Sequence, residues 1–436
     1  MRKLALLLML SVAAVPASAV TKKPAAKKSA KKKPARARHY RAPVVYVSPK
    51  VRHVAFEAVS ERATQPNRVL DGAGALVPFF EQVSHPQGNG SLHILQYGDS
   101  HTASDDWADT MRQALQRKFG AGGPGFTLAG HPFAGYRRFD IRGSNSRGWY
   151  TDGLVGRQGD GIYGLGGLSL STASADETVT MSAECEQVEL HYLQQPGGGT
   201  MEFSVDGAAV DTIDTDGPVA PGFYQHAPTP GVHEYTVRTL RDLPVRLFGW
   251  VAQNRSGVTY ETLGINGAQA GLQLDWNEPM IEAAVANREP VLILVAYGTN
   301  EALSAKWTEK DYHAAFTAVL RRLRTAAPLA SILVVGPPDC EKRLRGRRIP
   351  FPHLEEVIDV QRQTALENGC AFWDWRTRMG GPGSVRQWVQ AGLSQGDYVH
   401  FTSAGYRLIG SMLFDELMAQ YNRFLAARTE AAVNGQ

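Results

Sequence analysis

Apolar positions along the chain follow two different periods. Leu92 to Tyr97 reads as a short apolar strand, and after Gly98-Asp99-Ser100 the residues Trp107, Met111, Leu115 and Phe119 recur at helical spacing. Ser104 as a capping residue, with Asp105 and Asp106 in the first turn, predicts a helix that starts near Ser104 and stops at Gly120. The alternation returns after residue 255. Val291 to Ala296 is an apolar strand, and Tyr312, Phe316, Val319, Leu320 and Leu323 mark one helix face. Ile332 to Val335 is the next strand, Val357 to Ala365 a helix, Ala371 to Trp375 a strand, and a last helix runs from Thr402 through Leu408, Met412 and Tyr421. Apolar strands separated by helices predict a parallel sheet covered on both faces, an α/β domain.

Between these halves the period falls to two. Thr178 to Ala183, Val188 to Leu193, Met201 to Val205, His233 to Leu240 and Val245 to Val251 alternate as strands do, and Asp206-Gly207 is a tight hairpin signal. With no helical stripe among them, residues 155–252 are expected to form a β-sandwich inserted into the α/β domain. The expected division is 1–19 signal peptide, 20–48 basic linker, 49–154 and 253–425 the two parts of the α/β domain, and 426–436 a C-terminal tail.

Charge and composition change the picture at the N-terminus. Met1-Arg2-Lys3, the apolar run Leu4 to Val15 and the small residues Ala17-Ser18-Ala19 have the three parts of a secretory signal, so a periplasmic or secreted location is expected. The run is too short to span a bilayer, and no later segment is long enough, so no transmembrane segment is expected after cleavage. Lys22 to Arg41, almost all Lys, Arg, Ala and Pro, is expected to be disordered. The first 41 residues hold 12 of the 46 Lys and Arg and none of the 42 Asp and Glu, so the remainder is acidic by eight charges. The basic linker is read as a solvated spacer, with contact to anionic envelope polymers as the alternative; nucleic acid is not an expected partner outside the cytoplasm. Of three cysteines, Cys340 and Cys370 are the favoured pair and Cys185 is left over, three free thiols being the other reading.

A serine hydroxyl becomes a nucleophile when a base takes its proton and a carboxylate holds that base in the right tautomer. Ser100, His400 and Asp397 can fill these roles, because Asp397-Tyr398-Val399-His400 lets one loop present both partners. The tetrahedral intermediate needs donors for its oxyanion. The Ser100 backbone N–H, the Gly267 N–H in Gly264-Ile265-Asn266-Gly267 and the Asn300 side chain in Gly298-Thr299-Asn300 are the candidates. Each falls in a loop beside a predicted strand or helix, where parallel-sheet enzymes assemble their sites.

Together these four segments resemble the blocks of the SGNH (GDSL-like) hydrolase family: Gly98-Asp99-Ser100 the first, Gly267 the second, Gly298-Thr299-Asn300 the third, Asp397 to His400 the fourth. The likeness covers about residues 90 to 420. His101 stands where many members carry Leu, and Glu301 where Asp often follows the asparagine. With His400-Phe401-Thr402-Ser403-Ala404-Gly405-Tyr406 and Trp373-Asp374-Trp375, the chain is similar to the periplasmic peptidoglycan O-acetylesterase branch. That resemblance implies a three-layer SGNH-type hydrolase domain with an inserted carbohydrate-binding-like β-sandwich, acting on acetyl esters of O-acetylated peptidoglycan or a related glycan, without cofactor. An O-acetyltransferase would use the same triad, and a wall-binding protein with a vestigial site is the reading from another class. Sequence does not separate the first two.

Competing motifs are weaker. Gly392-Leu393-Ser394-Gln395-Gly396 fits a nucleophile elbow but lacks the strand before it and the helix after it. His93, His101 and His131 show no metal-ligand spacing, so no metal is expected. Asp105 and Asp106, as helix neighbours, point apart and do not make a glycosidase pair. Trp149, Tyr150, Tyr163, Trp250, Trp373, Trp375 and Trp388 are read as core before sugar platforms. The stretches Gly120 to Gly125 and Gly130 to Phe133 are read as chain turns before pocket walls. No substrate-binding residue is assigned.

Overall fold

The computed structural model describes residues 42–65, 70–85, 90–157 and 159–434. The expected signal peptide and the linker up to Arg41 lie outside these residues, as do the last two residues of the tail.

A six-stranded sheet forms the centre, in the order Leu70–Asp71, Ala371–Trp373, Ser331–Val335, Pro290–Ala296, Ser91–Gly98, Gly257–Gly264. All neighbours are parallel except the first pair. Side chains alternate across it. Leu95, Tyr97, Ile293, Val295, Ile332 and Val334 enter one buried cluster with residues of the helices Glu278–Arg288, Glu309–Ala326 and Leu354–Glu367. Leu92, Ile94, Leu292, Leu294, Leu333 and Val335 enter another, with the helices Pro49–Thr64, Val77–Ser84, Asp106–Phe119 and Ser403–Asn434. Strands buried on both faces explain why their sequence reads as apolar rather than alternating. Among the described residues no helix is long and apolar enough to cross a membrane.

Two antiparallel sheets hold the middle of the chain. One runs Ala208–Asp214, Thr200–Val205, Val232–Thr239, Thr178–Glu184, Arg142–Asn145; the other runs Ala220–His226, Gln187–Gln194, Val245–Gln253, Ser169–Thr172, Tyr150–Asp152, with Gly125–Leu128 also pairing to Val245–Gln253. Val179, Met181, Phe203, Tyr235 and Val237 from the first share a core with Val188, Leu190, Leu247 and Trp250 from the second. Asp206 and Gly207, at φ 49° and 79°, make the hairpin turn between Thr200–Val205 and Ala208–Asp214. The antiparallel pairing begins before residue 155, at Gly125 and Arg142, so these sheets also draw on chain assigned by sequence to the α/β part. Of the aromatics considered above, Trp149, Tyr163, Trp250, Trp373, Trp375 and Trp388 are buried and Tyr150 is exposed.

Two expectations are corrected. Cys340 and Cys370 are free, as is Cys185. Ser331–Val335 and Ala371–Trp373 are parallel, with Leu333 opposite Ala371. Cys370 therefore sits at the N-terminal end of its strand, whereas Cys340 lies past the C-terminal end of its neighbour. At roughly 3.3 Å per residue that separation exceeds the ~7 Å a disulfide spans.

The helix expected from near Ser104 to Gly120 runs Asp106–Phe119; a separate short helix, Ser100–Ala103, precedes it, and Asp105 between the two has φ 61°. Asp105 is not helix-start charge. Its buried carboxylate accepts from Arg112 Nη2 (2.7 Å), Thr262 Oγ1 (2.6 Å) and the Phe139 N–H (2.9 Å), while Arg112 Nε donates to the Tyr260 carbonyl. This pair ties the Asp106–Phe119 helix to the sheet edge. Arg112 also pairs with Asp109 (2.9 Å) and Asp140 (3.2 Å) and keeps these counter-charges, so Asp105→Ala is expected to lose about 1–3 kcal/mol in urea unfolding, the cost of leaving buried donors without their acceptor.

Candidate active site

Ser91–Gly98 lies between Gly257–Gly264 and Pro290–Ala296, with Gly98 level with Gly264 on one side and Ala296 on the other. The Ser100–Ala103 turn packs onto these strand ends. A Cβ at Gly98 would lie 2.1 Å from Thr102 Oγ1, and one at Gly264 would lie 2.2 Å from the Ala103 nitrogen, so both positions need glycine. Asp99 caps the turn by accepting the His101 N–H at 2.9 Å. Ser100 is thus fixed just beyond the carboxyl end of a central strand, where open α/β sheets place their ligands.

Across 300 residues of sequence, His400 Nε2 stands 3.0 Å from Ser100 Oγ. Its Nδ1 is 2.8 Å from Asp397 Oδ2, and the other Asp397 oxygen accepts the N–H groups of Val399 and His400. With Nδ1 protonated toward Asp397, Nε2 is free to accept from the serine. Burial would lower the His400 pKa, but the hydrogen bond and charge of Asp397, with the charge of Asp99, raise it above the ordinary histidine value. Burial would raise Asp397; the His400 hydrogen bond and the Val399 N–H outweigh it, and its pKa is lowered.

Gly267 and Asn300 are drawn to the same edge. The Ile265 N–H donates to the Gly98 carbonyl, and Asn300 Nδ2 donates to the Ala268 carbonyl at 2.9 Å and rests 3.4 Å from Asp99 Oδ2. Gly267 is exposed, at φ 77°, with open space where a Cβ would stand, so its backbone conformation rather than crowding favours glycine. Glu301 joins the two segments: its buried carboxylate accepts the Ala270 N–H at 2.7 Å and the Gly298 N–H at 3.0 Å. Burial pushes Glu301 up to about 7 and Asp99 to about 6.

Sequence reasoning missed Arg348, which donates to the carbonyls of Asp397 (2.9 Å) and Gly396 (2.8 Å) while its guanidinium lies 3.8 Å over the Tyr398 ring. It also missed the link from His101 Nδ1 to the Tyr406 hydroxyl, 2.9 Å. Ser394 is buried in an irregular stretch after the Ser384–Gln390 helix, its backbone bridged to Phe401. No hydrogen bond joins its hydroxyl to His400 among the described residues. His93 is buried against Thr259 and Arg288, His131 is exposed, and no group of His, Cys, Asp or Glu among the described residues could hold a metal. Gly130 and His131 line a cavity of about 300 Å³ with Tyr136, Arg138 and Trp250; none of Ser100, Asp397 and His400 lines it.

The GDSL-like lipase/acylhydrolase family model matches residues 225–408, which hold the Gly267, Asn300 and Asp397 to His400 segments; Ser100 lies upstream. No curated protein sequence matches the chain. A solved peptidoglycan O-acetylesterase is 27% identical, with a TM-score of 0.70 over 81% of this chain and 99% of that one. A family two carbohydrate esterase from Clostridium thermocellum is 10% identical over 57% of this chain and 93% of that one, TM-score 0.30. The salicylyl-acyltransferase SsfX3 of a tetracycline biosynthetic pathway is 12% identical over 65% and 98%, TM-score 0.31. These two are too remote to bear on this chain's chemistry. The chain is a carboxylic ester hydrolase that carries a match to the GDSL-like acylhydrolase model and resembles the SGNH-type peptidoglycan O-acetylesterases.

A raised pKa favours the protonated ring, so His400 should become neutral only above the ordinary histidine value of about 6.5. NMR titration is expected to show this, and Asp397→Asn should move the midpoint down. An unmoved midpoint would mean that Asp397 does not hold the ring.

Proposed function

We propose that the protein is an extracytoplasmic esterase that removes O-acetyl groups from cell-wall peptidoglycan, through an acetyl-enzyme on Ser100. The observation that carries this reading is the continuous chain Ser100 Oγ, His400 Nε2, His400 Nδ1, Asp397 Oδ2, with hydrogen-bond contacts of 3.0 and 2.8 Å. The glycan substrate is drawn from the likeness to the peptidoglycan O-acetylesterase structure. The facing antiparallel sheets would be an inserted carbohydrate-binding-like β-sandwich, and the basic residues before Arg41 a spacer following a cleaved signal.

In this reading His400 Nε2 takes the Ser100 proton as Oγ attacks the acetyl carbonyl carbon. The oxyanion is met by the backbone N–H groups of Ser100 and Gly267 and by Asn300 Nδ2. One Asn300 hydrogen is held by Ala268; the other rests on Asp99 at 3.4 Å, long enough to yield to a stronger acceptor. The C–O bond to the sugar breaks, and His400 returns its proton to the sugar oxygen. Water then gives a proton to His400 and attacks acetyl-Ser100; the serine leaves with that proton, releasing acetate.

Acetate release from an aryl acetate and from O-acetylated peptidoglycan tests this. Ser100→Ala is expected to lose on the order of a million-fold in turnover on both, and Ser394→Ala little. Near-full activity of Ser100→Ala would end the proposal, and acetyl transferred to glycan instead of water would make the protein an acetyltransferase. Asn300→Ala should lose roughly 100- to 1000-fold in kcat while its unfolding midpoint changes little; an unchanged kcat would place the oxyanion elsewhere.

A further inference from the structure

The strands Glu341–Leu344 and Arg347–Pro350 form a separate two-stranded antiparallel hairpin. Arg345 and Gly346, at φ 47° and 83°, close it in the turn whose twist suits paired strands. Residues 342 to 348 read Lys-Arg-Leu-Arg-Gly-Arg-Arg, a dense positive run on a body that is net acidic beyond Arg41. Arg343, Arg345 and Arg347 are exposed, and their side chains have no ion-pair partner among the described residues. Arg343 faces Arg348 directly across the strands. Like charges so placed disfavour the hairpin, and the fold supplies Arg343 with no counter-charge to offset this. A counter-charge from outside would do so.

The place of the hairpin indicates what brings it. Arg348 turns back to hold the Asp397 and Gly396 carbonyls, and the Glu341 N–H donates to the Tyr398 carbonyl at 3.0 Å. The root of the hairpin is therefore bolted to the loop that presents Asp397 and His400. The exposed arginines project from that root toward the turn at Arg345, about 13 Å along the strand from Glu341, within reach of neighbouring units of a polymer whose ester is at Ser100 rather than of the ester itself.

Arg343 and Arg347 leave opposite faces of the hairpin and Arg345 its turn. We propose that together they make it a cationic capture surface, a diffuse subsite for carboxylates on the polymer that bears the ester, so that the preferred substrate is an acidic glycan rather than a neutral one. This rests on the esterase reading above. Guanidinium forks match carboxylates in geometry, and exposed charge of this kind acts on capture more than on the chemical step.

The test uses the full chain carrying Arg343→Gln, Arg345→Gln and Arg347→Gln together, with O-acetylated peptidoglycan fragments whose carboxylates are free or amidated. The wild type is expected to show a KM about tenfold lower on free-carboxylate fragments than on amidated ones. Raising salt from about 0.05 to about 0.5 M should erase that preference. The triple variant should treat both fragments alike at any salt, and its unfolding midpoint should not fall, since the like-charge pair is relieved. A preference that survives in the variant, or a wild type indifferent to amidation, would overturn the proposal. Calorimetric binding of both fragments to Ser100→Ala protein, with and without the hairpin changes, decides the subsite independently of turnover. Salt-sensitive binding lost with the arginines would support it even if the wild type released no acetate from glycan, a result that would sink only the proposed reaction; binding that ignores the arginines would sink the subsite even if it did.

Discussion

Three neighbouring strands end level with one another at Gly264, Gly98 and Ala296, and the turn bearing Ser100 sits on those ends so closely that two positions tolerate no side chain. The rest of the site follows from this register. The loops leaving the three strands carry Ser100, Gly267 and Asn300, so groups far apart in sequence emerge from one edge of a sheet buried on both faces. A slip of one residue in any strand would turn its loop away and send its core side chains to the wrong layer.

Buried carboxylates hold these loops together. Asp99 caps the Ser100 turn, Glu301 clips the Gly298 loop to Ala270, Asp397 orients His400, and Asp105 with Arg112 secures the following helix. Each is satisfied mainly by backbone N–H groups or a directed partner, which is what makes buried charge tolerable. The environment then separates their acidities. Asp397, bonded to His400 and two backbone N–H groups, is held low, whereas Asp99 and Glu301 are pushed up toward neutrality by burial. Protonation near pH 6 to 7 would therefore reach Asp99 and Glu301, which support the site.

Much of this geometry is legible in the sequence because it is local. Gly98-Asp99-Ser100, Gly298-Thr299-Asn300 and Asp397 to His400 each follow a strand or precede a helix, and their roles complement one another. What stays hidden depends on distant partners. Asp105 looks like helix-start charge until Arg112, Thr262 and the Phe139 N–H are seen around it, and its positive φ has no sequence mark as clear as a glycine would give. Cys340 and Cys370 flank neighbouring strands, yet parallel order sets them at opposite ends. Ala208–Asp214, an almost wholly exposed strand, shows little apolar alternation. Arg348 was discoverable only as part of the basic run around Arg345-Gly346, and nothing in that run reveals that one arginine turns back onto the Asp397 loop.

Labelling with a fluorophosphonate, which reacts with an activated serine, followed by peptide mass mapping, identifies the nucleophile. One label per chain is expected, on Ser100, with esterase activity lost in step with its incorporation. Label on Ser394 or another residue, or full activity retained with Ser100 labelled, would contradict Ser100 as the nucleophile.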